Sequence, residues 1–155
     1  MVIILVGLLM GSALHAQAQV SAKDPLGRTT PQDSVFQFLE TCHARDYTKA
    51  ALYLDLRKMP AAQRAKDGPS LARQLEDLLD DTAFDITTLS RDPLGDESDG
   101  LSPDLERLAT FQVAGQNLEL QLERVQLRPG FQVWLVSADS VALIPAAHQV
   151  MGDPV

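Results

Sequence analysis

The densest concentration of reactive side chains in this chain is acidic. Between Glu76 and Glu106 stand 11 of its 21 carboxylates and only Arg91 of its 13 Lys and Arg residues. Within that stretch Asp92, Asp96 and Asp99 alternate with the turn formers Pro93, Gly95, Gly100 and Pro103. Several carboxylate oxygens on a tightly turning loop are what a hard cation such as Ca²⁺ selects, so Asp92, Asp96 and Asp99 are the candidate metal ligands. The EF-hand template is a poor match. With Gly100 at loop position 6, Asp99, Glu97 and Glu106 fall acceptably at positions 5, 3 and 12. Position 1 is then Gly95, which offers no side-chain oxygen, and position 8 is Ser102 where an apolar residue belongs. An irregular Ca²⁺ loop stays open as a reading. The expected outcome is a solvated acidic connection whose Asp, Pro and Gly residues make turns.

Covalent and acid–base chemistry find little to work with. Beyond residue 18 the only histidines are His43 and His148, and the only thiol is Cys42. Cys42 and His43 are adjacent in a helical pattern, so their side chains diverge by about 100° and form no nucleophile–base pair. No G-x-S-x-G, H-E-x-x-H, phosphate-loop or dinucleotide motif occurs. No catalytic residue, cofactor or enzymatic activity is therefore expected. A single Cys builds neither a disulfide framework nor a Cys-rich zinc site, and it reads as a packed core thiol. A net charge of −8 argues against a nucleic-acid partner, which requires clustered Lys and Arg.

The first residues read as an address. Val2 to Met10 is apolar apart from Gly7, and no charged side chain appears before Lys23. Ala16-Gln17-Ala18 places small residues where signal peptidase prefers them, which makes residues 1–18 a signal peptide and Gln19 the expected mature start. The run is too short for a membrane span of about 20 residues. Export is the expected fate, with a flexible lead-in over residues 19–29 and one domain over residues 30–150.

The elements that would position any site follow from hydrophobic period. Thr30-Pro31 is a helix start, and Val35, Phe38, Leu39 and Cys42 recur on one helical face. Asp46 caps a second short helix, and Leu71, Leu75, Leu78 and Leu79 stripe a third from about Pro69 to Asp80. The span from Arg57 to Gly68 reads equally as a helical turn or a loop. Phe84, Ile86 and Leu89 suggest a weak strand. Leu118, Leu120 and Leu122 then alternate strictly with Glu119, Gln121 and Glu123, the pattern of a strand with one wet face. Turns are expected at Ala114-Gly115-Gln116-Asn117 and Arg128-Pro129-Gly130. Phe131 to Val136, almost wholly apolar and holding the only Trp, reads as a mid-sheet strand. Ser137 caps a short terminal helix that Pro145 interrupts. No internal repeat is expected. Helices first and strands after give an α+β fold: N-terminal helices on a curved antiparallel sheet of three to four strands, cone-like, similar to nuclear transport factor two.

A string of spaced motifs adds a family resemblance. It runs from Asp24-Pro25-Leu26-Gly27-Arg28 and Thr30-Pro31 through Phe38-Leu39, Asp46-Tyr47, Ala50-Ala51 and Tyr53-Leu54-Asp55-Leu56. It continues through Leu71-Ala72-Arg73-Gln74-Leu75, Asp92-Pro93, Asp99-Gly100-Leu101 and Val133-Trp134-Leu135-Val136-Ser137, ending at Val141 and Ile144-Pro145. Over roughly residues 24–146 the chain resembles the extracytoplasmic region that precedes the membrane part in some bacterial small-conductance mechanosensitive channels. The resemblance implies a non-enzymatic accessory domain whose partner is a membrane-embedded channel portion, with homo-oligomerisation through it. The sequence contains no pore helix, so conduction would lie outside it. The alternative is a free-standing exported module that binds a small apolar ligand inside its cone.

Overall fold

The computed structural model describes residues 23–152. The expected leader over residues 1–18 and the start at Gln19 lie outside the described residues. The first helix, α1, spans Pro31–His43. Thr30 caps it by accepting the Asp33 N–H at 3.0 Å, and Pro31 sits in the first turn, where its missing N–H costs nothing. The helix ends with Arg45 in the left-handed region at φ 60°. Arg45 donates its N–H to the Cys42 carbonyl and Asp46 donates to that of Thr41, satisfying the last turn. Asp46 then caps α2, Tyr47–Ala50, by accepting the Lys49 N–H at 3.1 Å.

The third helix is longer than its leucine stripe predicts. α3 runs Ala61–Asp81, so the ambiguous span before Gly68 is largely helical. Its opening residues, Ala61 to Lys66, are mostly strong helix formers. Packing explains how the helix carries Gly68-Pro69. A Cβ at Gly68 would stand 3.1 Å from Leu56 and 3.2 Å from Ala51, so the glycine lets α3 lie close against the preceding segment. Pro69 removes a single intrahelical hydrogen bond, which the buried face below it, Leu71, Ala72, Leu75, Leu78 and Leu79, offsets.

The expected strand at Phe84–Leu89 does not form. A 3₁₀ turn takes its place over Ile86–Thr88. Asp85 accepts both the N–H and the hydroxyl of Thr87, at 2.9 and 2.6 Å, and this local bonding draws the backbone out of any ladder.

Three strands make one antiparallel sheet in the order β1-β2-β3: Leu105–Val113, Gln116–Arg128 and Phe131–Val136. The first hairpin is tighter than expected. Only Ala114 and Gly115 form the turn, both at positive φ, and Gln116 and Asn117 already pair with Val113 and Gln112. Register shifts at Leu108 and Leu127 bend the sheet, the physical source of its open curl. β3 proves to be an edge strand rather than a central one. It is apolar on both faces because Trp134 and Val136 enter the main core while Phe131, Val133 and Leu135 join Val125 in a small cluster on the other face. Its outer edge is closed by chain from earlier in the sequence. The Trp134 N–H donates to the Arg28 carbonyl at 2.8 Å, and the Asp55 N–H donates to the Val136 carbonyl at 2.9 Å.

A repeat that escapes a search for long periods becomes evident in three dimensions. Asp24-Pro25-Leu26-Gly27 and Asp92-Pro93-Leu94-Gly95 fold alike. In each, the Gly N–H donates to the Asp carbonyl, the Leu N–H donates to the Asp carboxylate, and the Gly holds positive φ. Both turns close on Trp134, the first through the adjacent Arg28 carbonyl and the second through the Pro93 carbonyl. The chain from Asp24 onward, expected to be a flexible lead-in, is thus pinned to the sheet. Tyr53 reinforces it, its hydroxyl donating to the Leu26 carbonyl at 2.7 Å.

The last helix, α4, spans Ala138–Gly152 and runs through Pro145 without a break. Ser137 caps it as expected, accepting the Ser140 N–H at 3.1 Å. Val141, Ile144 and Ala147 complete the main core. The result is α+β, with helices packed on a curled three-stranded sheet.

Candidate functional site

The acidic loop does not converge. Asp92, Asp96 and Asp99 each turn back on their own backbone, accepting the N–H groups of Leu94, Ser98 and Leu101 at 2.9, 2.8 and 2.9 Å. Among the described residues, no three His, Cys, Asp or Glu side chains are grouped so as to hold a metal ion. The loop is solvated at its tips but anchored at its base. Glu106, 4% exposed, accepts the Ser90 N–H on one oxygen and the Asp96 N–H on the other, both at 3.0 Å. Burial pushes the Glu106 carboxyl above its ordinary range, against the pull of those two N–H groups, with Asp96 and Asp99 pushing the same way as burial.

The nucleophile candidates are set apart. Cys42 is buried, and desolvation, with Glu76 and Asp80 nearby, pushes its thiol up to about 12, so it carries no thiolate near neutrality. His43 is exposed beside Glu40 at 3.6 Å. His148 on α4 pairs with Asp77 on α3 at 2.9 Å and ties the two helices together.

The space inside the cone is filled. The cavity among Ser34, Val35, Phe38, Tyr53, Leu75 and Leu122 is only about 10 Å³, the room of about one water. The ligand chamber that the cone-like reading calls for is therefore absent there.

A groove lies instead outside the cone, where α2, the first half of α3 and the β2–β3 end meet. It measures about 330 Å³, within the size range of small-molecule sites. Ala51, Leu52, Leu54, Leu56, Ala65, Pro69, Leu127 and Leu135 give it an apolar lining, into which Arg28, Arg57 and Arg64 intrude. Among the described residues, no acidic side chain lines it. Two of the guanidinium groups are anchored from behind. Arg28 holds Asp24 through Nε and Nη2 at 3.0 and 3.2 Å and donates from Nη1 to the Leu52 carbonyl at 2.9 Å. Arg57 grips Asp55 with two bonds of 2.9 Å. Burial works to raise both carboxyls, but the hydrogen bonds and charges of Arg28 and Arg57 outweigh it and hold Asp24 and Asp55 below the ordinary range. Arg64 is exposed on α3 and has no carboxylate partner among the described residues.

Sequence reasoning missed this groove. Its residues come from five separated segments, and only the spatial convergence of three of 13 bases in a chain of net charge −8 marks it. The comparisons with known proteins found no family model, no curated protein and no solved structure that matches the chain.

Proposed function

We propose that the chain is a non-enzymatic extracytoplasmic domain that acts as an accessory to a mechanosensitive-channel-type membrane protein. The observation that carries this reading is where the motif string falls. Asp24 and Arg28 form the pinned turn, Thr30, Asp46 and Ser137 are helix caps, and Phe38 and Trp134 are core anchors. The motifs specify a scaffold rather than a reaction, as a domain that modulates a neighbouring pore requires. Among the described residues, no helix is long and apolar enough to cross a membrane, so conduction would belong to the partner portion. The proposed address is the periplasmic side of the bacterial envelope, with oligomerisation through the channel portion and no nucleic-acid partner.

The test is made in the full-length gene. Its reading frame is expected to continue into apolar spans of about 20 residues. Pressure-clamp recordings with residues 24–146 deleted should show near-normal conductance and at most a shifted tension threshold or altered assembly. A correctly assembled deletion channel that carries no current overturns the reading, as does a frame that closes without spans in an operon lacking any channel.

The groove favours one alternative, a free-standing exported binding module. It would hold its ligand against α2 and α3 rather than inside the filled cone.

A further inference from the structure

We propose that the groove between α2, α3 and the β2–β3 end binds a single-chain amphiphile with an anionic head, a fatty-acid-like carboxylate. The proposal goes beyond the accessory-domain reading and holds whether the chain stands alone or within a larger membrane protein. The lining supplies both halves of the recognition. Leu54, Leu56 and Leu135 are nearly buried in the fold yet face the groove, and the exposed Leu52 and Leu127, at 51% and 38%, extend the apolar surface to its mouth. An acyl chain laid there removes apolar area from water on both partners.

Charge selects the head group. The chain as a whole is strongly acidic and repels anions at long range. At this groove three guanidinium groups converge, with no acid among the described residues that line it. Arg28 is consumed by Asp24 and the Leu52 carbonyl, so its role is to hold the wall. Beyond its two bonds to Asp55, Arg57 has no partner for Nη1 among the described residues, and its side chain is 50% exposed. Arg64 has no carboxylate partner among the described residues. The exposed Arg64, and the Arg57 donor left over from its pair with Asp55, beside an apolar trough match a carboxylate on an alkyl tail. A neutral amphiphile would leave Arg64 without a counter-charge, and an acidic peptide would need more room than about 330 Å³.

The experiment titrates the folded chain with sodium laurate below its micelle threshold, in parallel with dodecyl maltoside as the neutral probe. Calorimetry should give one laurate per chain. Arg64→Glu should weaken laurate binding by about tenfold or more, the effect of replacing one charge-assisted contact with repulsion. Ala65→Trp, which fills the groove from an exposed helical position, should abolish it. Neither change touches the core, and unchanged circular dichroism will establish that both variants fold. Absence of laurate heat, equal binding of dodecyl maltoside, or laurate binding indifferent to both substitutions overturns the proposal. So does sedimentation showing that the ligand-free chain self-associates and that Ala65→Trp makes it monomeric, because the occupant is then a second copy.

Discussion

The indole N–H of Trp134 donates to the carbonyl oxygen of Pro93 at 2.9 Å, joining β3 to a loop 41 residues earlier. The same loop brings Gly95 over the ring. A Cβ there would stand 2.7 and 2.8 Å from two ring carbons, and Gly95 already holds φ 79°. Gly95→Ala should therefore destabilise the fold by about 2–4 kcal/mol, combining left-handed strain with overpacking. Trp134→Ala should cost about 3–5 kcal/mol. Urea unfolding followed by circular dichroism measures both, and a Gly95→Ala midpoint equal to that of wild type would place the loop away from the ring.

Glu106→Gln tests a buried carboxylate whose two oxygens each accept a backbone N–H. The amide keeps the shape and removes the buried charge, but it must aim an NH₂ at one of those donors. It should lose about 1–3 kcal/mol of stability. A gain instead would mean that burying the charge outweighs the two hydrogen bonds.

Acid should act first on the paired carboxylates. Asp24 and Asp55 are held below the ordinary range, so they bind protons less readily folded than unfolded. Their contribution is complete above the unfolded value of about 4 and is lost as pH falls through the lower folded values. Glu106 runs the other way, since its raised value gives a contribution complete at low pH and lost as pH rises through it. Asp24→Asn leaves Arg28 buried without its counter-charge and should cost about 3–5 kcal/mol at neutral pH. It should also flatten the decline in stability between neutral pH and pH 2, read from denaturant midpoints. A variant with the same acid slope as wild type would remove Asp24 from that role.

Arg45 occupies left-handed backbone that glycine adopts without strain. Arg45→Gly should raise stability by about 0.5–1 kcal/mol, the relief exceeding the added freedom of the unfolded chain. A lower melting temperature would show that the arginine side chain contributes more than its backbone costs.

Replacing Asp92 and Asp96 together with Asn should leave the melting temperature unchanged, because an amide oxygen accepts the same N–H two residues on. Millimolar Ca²⁺ should likewise shift neither the wild-type melting curve nor the calorimetric baseline. A stoichiometric heat that the double variant loses would restore these residues as ligands.

Local chemistry was readable wherever a short-range rule decided the outcome. The caps at Thr30, Asp46 and Ser137 are set by side chains within three residues of the N–H they accept. The alternation from Leu118 to Glu123 needs only the period of a strand. Reading failed where a distant partner decided. The leucine stripe starts the third helix at about Pro69, but Leu56 and Ala51 supply the close neighbour that makes Gly68 fit a helix beginning at Ala61. The continuous apolar run of β3 resembles a central strand, yet its edge is closed by Arg28 and Asp55, far away in sequence. The groove has no local pattern at all, since Arg28, Arg57 and Arg64 acquire a common address only after folding.

The closed edge of β3 also sets a limit on proteolysis. Unpaired strand edges are templates for intermolecular pairing, and this one is capped by a segment that begins at Asp24. Removal of residues that precede Asp24 spares the cap. Trimming four or more residues past Asp24 removes both the Arg28 carbonyl and the ion pair that holds it, and exposes an apolar strand to other chains. Molecules trimmed this far should then be lost to aggregation before any loss of groove binding is felt.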